Sequence, residues 1–316
     1  MGNRLLGVVV GALLYSGSAN GGVTQNLPYP SGMPSAQEIA EQVFFVNHFY
    51  SVKNLFIKRK GKTQVTVLAS RSKGKRAKSN TLRRFLNNDY NDGEIRAKDI
   101  ALFQSGKLSG TGMLITTYVD AEKSQSYSMW LPALKKIRRF SEPPHDQSWA
   151  NTDFTFGDIY LRKPRDETHE LLGTTVLEEC LGAMEISPEE QRNKYLRQLH
   201  HGQCEHKGKT VYKLKSTSKR ENWWYDYRIS YVDTTTFADY RTEYFKGDEK
   251  IKVIDRDWTS MGLDDPRGIF WRYWYGKNLV TEHETMISVP EDFVTWNTDT
   301  GTGNLWKEES LSPLLQ

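Results

Sequence analysis

The stretch that decides the fold is Ser126–Tyr160, SYSMWLPALKKIRRFSEPPHDQSWANTDFTFGDIY. Tyr127 and Met129 alternate with Ser128 and Trp130, a two-residue period that predicts a strand. Pro132 has no N–H to give to a ladder, so pairing should break there and the chain should turn. Leu134–Phe140 is ambiguous, because Leu134 and Ile137 would also suit a helix face. A basic run (Lys135, Lys136, Arg138, Arg139) and an aromatic-acidic segment (Asp153, Phe154, Phe156, Asp158) follow. Nothing in the stretch is a catalytic signature.

Its wording resembles that of the bacterial outer-membrane lipoprotein-sorting family, the LolA/LolB-like proteins, in which a segment of the form YLPALxKVRRI leads to one of the form GSDFSYEDL. The match runs through Trp130, Leu131, Pro132, Ala133, Leu134, Lys135, Lys136, Ile137, Arg138 and Arg139, then through Thr152, Asp153, Phe154, Thr155, Phe156, Gly157 and Asp158. Further similarity covers Tyr227–Trp258 and Trp271–Met286. Gly157 stands where that family carries an acidic residue, and the segment around Cys180 and Cys204 is outside the pattern. The resemblance implies a mainly β fold, a curved antiparallel sheet left open as a half-barrel and wrapped around an N-terminal helix. It also implies an apolar hollow between sheet and helix that shelters acyl chains. An inner-membrane exporter of the RND type is the partner it suggests.

Outward from that stretch, the chain of 316 residues reads as one mainly β domain over 35–316. Arg4, the apolar run Leu5–Leu14 and Gly17-Ser18-Ala19 have the grammar of a secretory signal over residues 1–19. That run is about half the 20 residues needed to span a bilayer. Residues 20–34 read as an extended lead-in. The expectation is an exported protein of the periplasm that touches membranes only peripherally. Net charge is +4, too mild to imply nucleic acid, and none is expected.

Ser35 and Glu38 form a capping-box pattern ahead of Ile39, Val43, Val46 and Tyr50, which predicts a helix over about 36–49. Beyond Val52 the grammar is short alternating segments: Asn54–Arg59, Gln64–Ala69, Thr81–Leu86, Gly112–Val119, Gln125–Trp130, Leu171–Glu178, Thr210–Leu214, Trp223–Val232, Phe237–Phe245, Lys250–Asp257, Gly268–Tyr275 and Leu279–Val289. Lys58–Arg84, with eleven basic residues from Lys58 to Arg84, reads mostly as a solvated loop; docking to anionic headgroups or an acidic partner is the functional alternative.

A helical insert over about 179–209 interrupts the strands, with Ser187-Pro188-Glu189-Glu190 as a helix start. Cys180 and Cys204 bracket it, and in an oxidising compartment a disulfide is the simplest outcome. His200, His201, Cys204 and His206 crowd together, so zinc is the alternative, although structural zinc draws paired ligands from two segments. A solvated histidine loop is the plain reading. His145-Asp146 reads as an exposed loop pair. Alternation puts His283 on the face opposite Glu282 and Glu284, which builds no dyad.

No paired carboxylates, nucleophile elbow, phosphate loop or HExxH motif is present, so neither an enzyme nor a cofactor is expected. The aromatic strands carry the functional expectation. Trp223, Tyr225, Tyr227, Ile229 and Tyr231 should share one face of a strand, Trp271 and Tyr273 a face of another, and Met113 and Ile115 a face of an earlier one. With Phe44 on the helix and Trp130, these are the candidate lining of a pocket for lipid or lipoprotein acyl chains. Plain core packing competes with that reading at every position. The alternative function is a non-carrier envelope module that recognises carbohydrate or protein through exposed aromatics.

Overall fold

The computed structural model describes residues 25–61, 63–299 and 304–312. The expected leader and the start of the lead-in lie outside the described residues. The helix α1 spans Ala36–Asn47 and starts on the predicted capping box: Ser35 Oγ accepts from the Glu38 N–H, and Glu38 Oε2 accepts from the Ser35 N–H at 2.8 Å. It stops two residues short of the expected end, because Phe49 turns into the left-handed region at φ 55°, uncommon for a bulky residue. Among the described residues no helix is long and apolar enough to cross a membrane.

Fifteen strands follow: β1 (Asn54–Ile57), β2 (Thr66–Arg71), β3 (Lys78–Asn87), β4 (Ile95–Phe103), β5 (Gly112–Tyr118), β6 (Ser126–Leu131), β7 (Lys136–Ser141), β8 (Glu167–Val176), β9 (Thr210–Ser218), β10 (Tyr227–Asp233), β11 (Asp239–Lys246), β12 (Glu249–Ser260), β13 (Ile269–Asn278), β14 (Glu284–Ser288) and β15 (Val294–Trp296). They form one antiparallel sheet in the order β7-β6-β5-β4-β3-β2-β14-β13-β12-β11-β10-β9-β8. β1 pairs β15 and the second half of β3. Two meanders, β2–β7 and β8–β13, are thus joined by β14, and the outer edges β7 and β8 do not meet. This is the open half-barrel that the resemblance implied.

Two expectations change here. Leu134–Phe140 resolves as strand: Pro132 ends β6, Lys135 turns the chain at φ 49°, and β7 pairs back with Ser126 opposite Ser141. Lys58–Arg84 is part strand and part exposed loop: Thr66–Arg71 lies in β2 and Lys78–Arg84 in β3, while Lys58, Arg59, Lys60, Lys73, Lys75 and Arg76 lie outside those strands and are exposed. Within it, Arg71 pairs with Glu284 and Glu190, Lys73 with Glu282 and Arg84 with Asp99, so carboxylates hold these three of its basic residues.

The face of the sheet that α1 covers is the inner one. After β7 the chain crosses that face as a strap, residues 149–163, ending in a wide helical turn at Gly157–Leu161. Phe154, fully buried, anchors the strap on β13, its ring 5.6 Å from that of Trp274. Gly276 permits this approach, because a Cβ there would lie 2.8 Å from the Phe154 ring.

The segment between β8 and β9 covers the outer face. It is less helical than expected, with short 3-10 turns at Glu190–Arg192 and Leu196–Gln198. Cys180 and Cys204 are joined as a disulfide. Leu181, Met184, Leu196 and Leu199 enter the main core. The Gly182 N–H donates to Asp255 at 2.7 Å, and His206 Nε2 lies 2.8 Å from Asp257. His200 and His206 are therefore not solvated, although His201 is exposed, and with Cys204 oxidised the zinc alternative loses its thiolate. His200 Nδ1 is 2.6 Å from Ser288 Oγ. His145, expected to be exposed, is largely covered and bonds Glu142 at 2.8 Å and Arg220 at 3.0 Å. His283 does build a pair, but with Asp153 of the strap at 2.6 Å.

Candidate functional site

Between the inner face, α1 and the strap lie two adjoining hollows of opposite chemistry. The first is an apolar cleft of about 780 Å3, including the part open to solvent. Its floor is Leu82 of β3, Ala101 of β4, Met113 and Ile115 of β5, Trp271 and Trp274 of β13 and Ile287 of β14. Trp149, Phe156, Ile159 and Tyr160 of the strap roof it. Arg84 and Asp99, paired at 2.6 Å, are its charged residues.

The second hollow, about 630 Å3, lies under α1 over β8–β12 and is polar. Asp158 of the strap is buried there, accepting from Lys252 Nζ at 2.6 Å, Arg162 Nη2 at 2.9 Å and the Tyr244 hydroxyl at 2.5 Å. Burial alone would raise its pKa, but Lys252 and Arg162 hold the carboxyl far below the usual carboxylate range. Burial pushes the Lys252 ammonium down, against the pull of Asp158. Glu167 accepts from Arg228 Nη2 at 2.5 Å and the Tyr225 hydroxyl at 2.8 Å. Burial again opposes ionisation, and Arg228 and Arg162 overcome it, bringing Glu167 to about 2. A third pair, Arg256–Asp239, is tied to the helix by Asn47 Nδ2, 3.2 Å from Asp239.

Asn47 borders both hollows, as do Ile159 and Tyr160. His48, just past α1, stacks on Phe44 with ring centroids 3.8 Å apart. Its Nδ1 is 2.8 Å from the Phe44 carbonyl and its Nε2 3.3 Å from the Tyr160 carbonyl, the neutral ring donating to one of them, and its ring packs 5.0 Å from that of Tyr160, so it joins helix to strap. Burial lowers its pKa to about 4, leaving the imidazole neutral near pH 7.

Of the residues expected to line a pocket, Met113, Ile115 and Trp271 come together in the apolar cleft, and Phe44 borders the polar hollow. The others go elsewhere. Trp223 and Tyr225 precede β10 in a loop that turns at Asn222 (φ 52°), so strand alternation does not apply to them. Inside β10 it is Arg228 and Ser230 that face inward, which sends Tyr227, Ile229 and Tyr231 to the outer face. Tyr273 is on the outer face too, buried under the insert beside His200. Trp130 packs with Trp306 in a smaller outer core closed by the C-terminal segment.

Sequence reasoning missed Trp274 because the register of β12 and β13 shifts next to Trp258. Asp257 faces Tyr273 while Trp258 faces Trp271, leaving Arg272 as the extra residue. Trp271 and Trp274 then share a hollow despite their odd spacing. The polar hollow did leave a signal. Lys252, Ile254 and Arg256 alternate within one strand, and charges at inward positions of a core strand demand buried partners.

The comparisons agree with this architecture. A family model described as an uncharacterized protein matches residues 96–201. No curated protein matches the chain. Among solved structures, a DUF1329 family protein from Desulfovibrio piger aligns with a TM-score of 0.62 at 14% identity, over 88% of this chain and 100% of that one. A domain described as an outer membrane lipoprotein-sorting protein, from Vibrio parahaemolyticus, gives 0.61 at 13% identity, over 88% and 98%. A LolA superfamily protein from Nitrosomonas europaea gives 0.51 at 10% identity, over 88% and 99%. At these identities the likeness is one of fold: the chain has the open β half-barrel that the lipoprotein-sorting and LolA superfamily structures share.

Proposed function

We propose that this protein is a carrier of lipid or lipoprotein acyl chains in the periplasm, taking them into the apolar cleft and passing them to an outer-membrane or transporter partner. The observation that carries the reading is the cleft itself. Its floor and roof are aliphatic and aromatic except for the paired Arg84 and Asp99, the kind of lining that small apolar ligands meet. An acyl chain exposed to water loses about 0.8 kcal/mol per CH2, so moving one through an aqueous compartment requires such cover. Fold likeness to a lipoprotein-sorting domain supports the same reading. Enclosure and release would be the whole mechanism, with no bond made or broken and no cofactor. An exporter of the RND type remains the partner we infer from the sequence resemblance.

The test is mass spectrometry of lipids extracted from protein purified out of the periplasm, for the wild type and Ile115→Asp. Ile115 lines the cleft and is half-buried, so the substitution should spare the fold. Co-purifying lipid that disappears in the variant is the expected result. A wild-type protein with no lipid and no affinity for detergent-free acyl probes would overturn the reading, and calorimetric binding of sugars would replace it with the envelope recognition module.

A further inference from the structure

Arg256 of β12 and Trp274 of β13 are directly opposed in the sheet, and the guanidinium lies 4.1 Å from the indole ring. Arg256 borders the polar hollow and Trp274 the apolar cleft, so the pair forms part of the wall between them. Each side chain is 4% exposed, and each keeps a buried donor without a partner: Arg256 Nε–H and Trp274 Nε1–H. Buried donors are nearly always paired, and an orphan of this kind asks for an acceptor. Here two orphans from one stacked pair sit where an apolar space meets a charged one. The polar hollow is also unbalanced, with Arg162, Lys163, Arg228 and Arg256 against Asp158, Glu167 and Asp239.

We propose that the cargo is an anionic amphiphile whose acyl chain fills the apolar cleft and whose acidic group, carboxylate or phosphate, is received by Arg256 and Trp274 at the partition. This rests on the acyl-carrier reading and narrows it to a chemical class. A cation would meet like charge, and an uncharged head would give up the charge-assisted bond that a guanidinium offers an oxyanion. Asp239 of β11 accepts from the guanidinium and is itself held by Asn47 of the helix.

Calorimetric titration with four probes of one chain length, dodecanoate, dodecyl phosphate, 1-dodecanol and dodecyltrimethylammonium, each below its aggregation concentration, tests this. The two anions should bind about ten-fold or more tightly than the alcohol, and the cation most weakly. A stronger dodecanoate or dodecyl phosphate signal tells a free fatty acid from a lipid phosphate as the source; either supports the proposal. In Trp274→Phe, which keeps an aromatic ring and loses the N–H, and in Arg256→Met, the ratio of anion to alcohol affinity should fall toward one, whatever smaller loss both probes share. Equal wild-type binding of all four would overturn the anion preference and leave the carrier reading standing. Binding of none would sink the carrier reading itself. Should Arg256→Met fail to fold, the wild-type series and Trp274→Phe decide; unchanged anion preference in Trp274→Phe, together with Arg256→Lys, also overturns the assignment.

Discussion

Under one roof of helix and strap, the inner face of the sheet carries two floors built on opposite terms. Over β3–β5, β13 and β14 the floor is apolar and left partly uncovered. Over β8–β12 it is studded with ions, yet Asp158, Lys252, Arg162 and Glu167 satisfy one another. On the apolar floor the loss of a half-buried side chain such as Ile115 leaves no polar group unpaired, whereas the polar floor is a coupled network in which each charge depends on its partners. Loss of a buried charge on the second floor should therefore cost much more than loss of a half-buried side chain on the first.

Asp158→Ala is the severest way to break this contrast. It leaves Lys252 and Arg162 buried without their carboxylate, and should destabilise the protein by about 3–5 kcal/mol in denaturant melts. Ile115→Ala in the cleft should cost only about 1 kcal/mol, since its side chain is half-buried. Asp158→Leu combined with Lys252→Met should recover part of the loss, because the stranded ammonium is gone while Arg162 keeps only Glu167, 3.9 Å away. Equal costs for the two single variants would erase the distinction between the floors.

The disulfide gives the next effect, on the face away from both hollows. Cys180 and Cys204 are 24 residues apart, and reduction should cost about 3 kcal/mol in the chain-entropy account, seen as a lower Tm. The insert packs on the outer face through Asp255, Asp257 and Tyr273, so acyl binding at moderate temperature should survive reduction.

Acid should separate the helix–strap tie from the polar floor. The imidazole of an unfolded His48 takes a proton near pH 6.5, but in the folded protein only near 4, because burial disfavours the cation. Lowering pH through that interval lets the unfolded chain bind the proton first, and stability should fall by about 3 kcal/mol. Glu167 adds a later loss, since its stabilisation is complete above about pH 4.5 and fades as pH drops toward 2. In His48→Gln, stability measured from pH 7 to 2 should show a smaller first decline, to which His169 and His200 still contribute through burial, and keep the second. An unchanged profile would mean that His48 is not the group responsible.

How far the sequence disclosed all this varies from element to element for physical reasons. The capping box, the break at Pro132 and the alternation of Met113 with Ile115 are local rules, and each element stands near where those rules put it. β4 went unread because Arg96, Lys98 and Asp99 interrupt its apolar residues, and Asp99 is tolerated only through Arg84 on β3. Tyr227, Ile229 and Tyr231 were grouped correctly but assigned to the wrong side. Alternation says which residues share a face, never which face meets the helix. For Trp271 and Trp274 the bulge at Arg272 overrode the period. The alternation of Lys252 with Arg256 signals that buried partners are needed, but Asp158 lies 94 residues away from Lys252, and no single-segment rule names it.

The smallest effect concerns the roof itself, and it separates support of the helix from the chemistry below. Ser35→Ala removes the cap hydrogen bond to the Glu38 N–H and loosens the return bond from Glu38. Such caps contribute about 1 kcal/mol, so a modest drop in Tm is expected. The helix roofs the polar hollow through Ala40, Val43 and Phe44, but reaches the apolar cleft only through Asn47, at its far end. Fraying from the first turn should therefore raise hydrogen exchange along Ala36–Val43 while leaving affinity for an uncharged acyl probe near wild type. A large loss of that affinity in Ser35→Ala would show that the whole helix, and not the strap alone, forms the cover of the cleft.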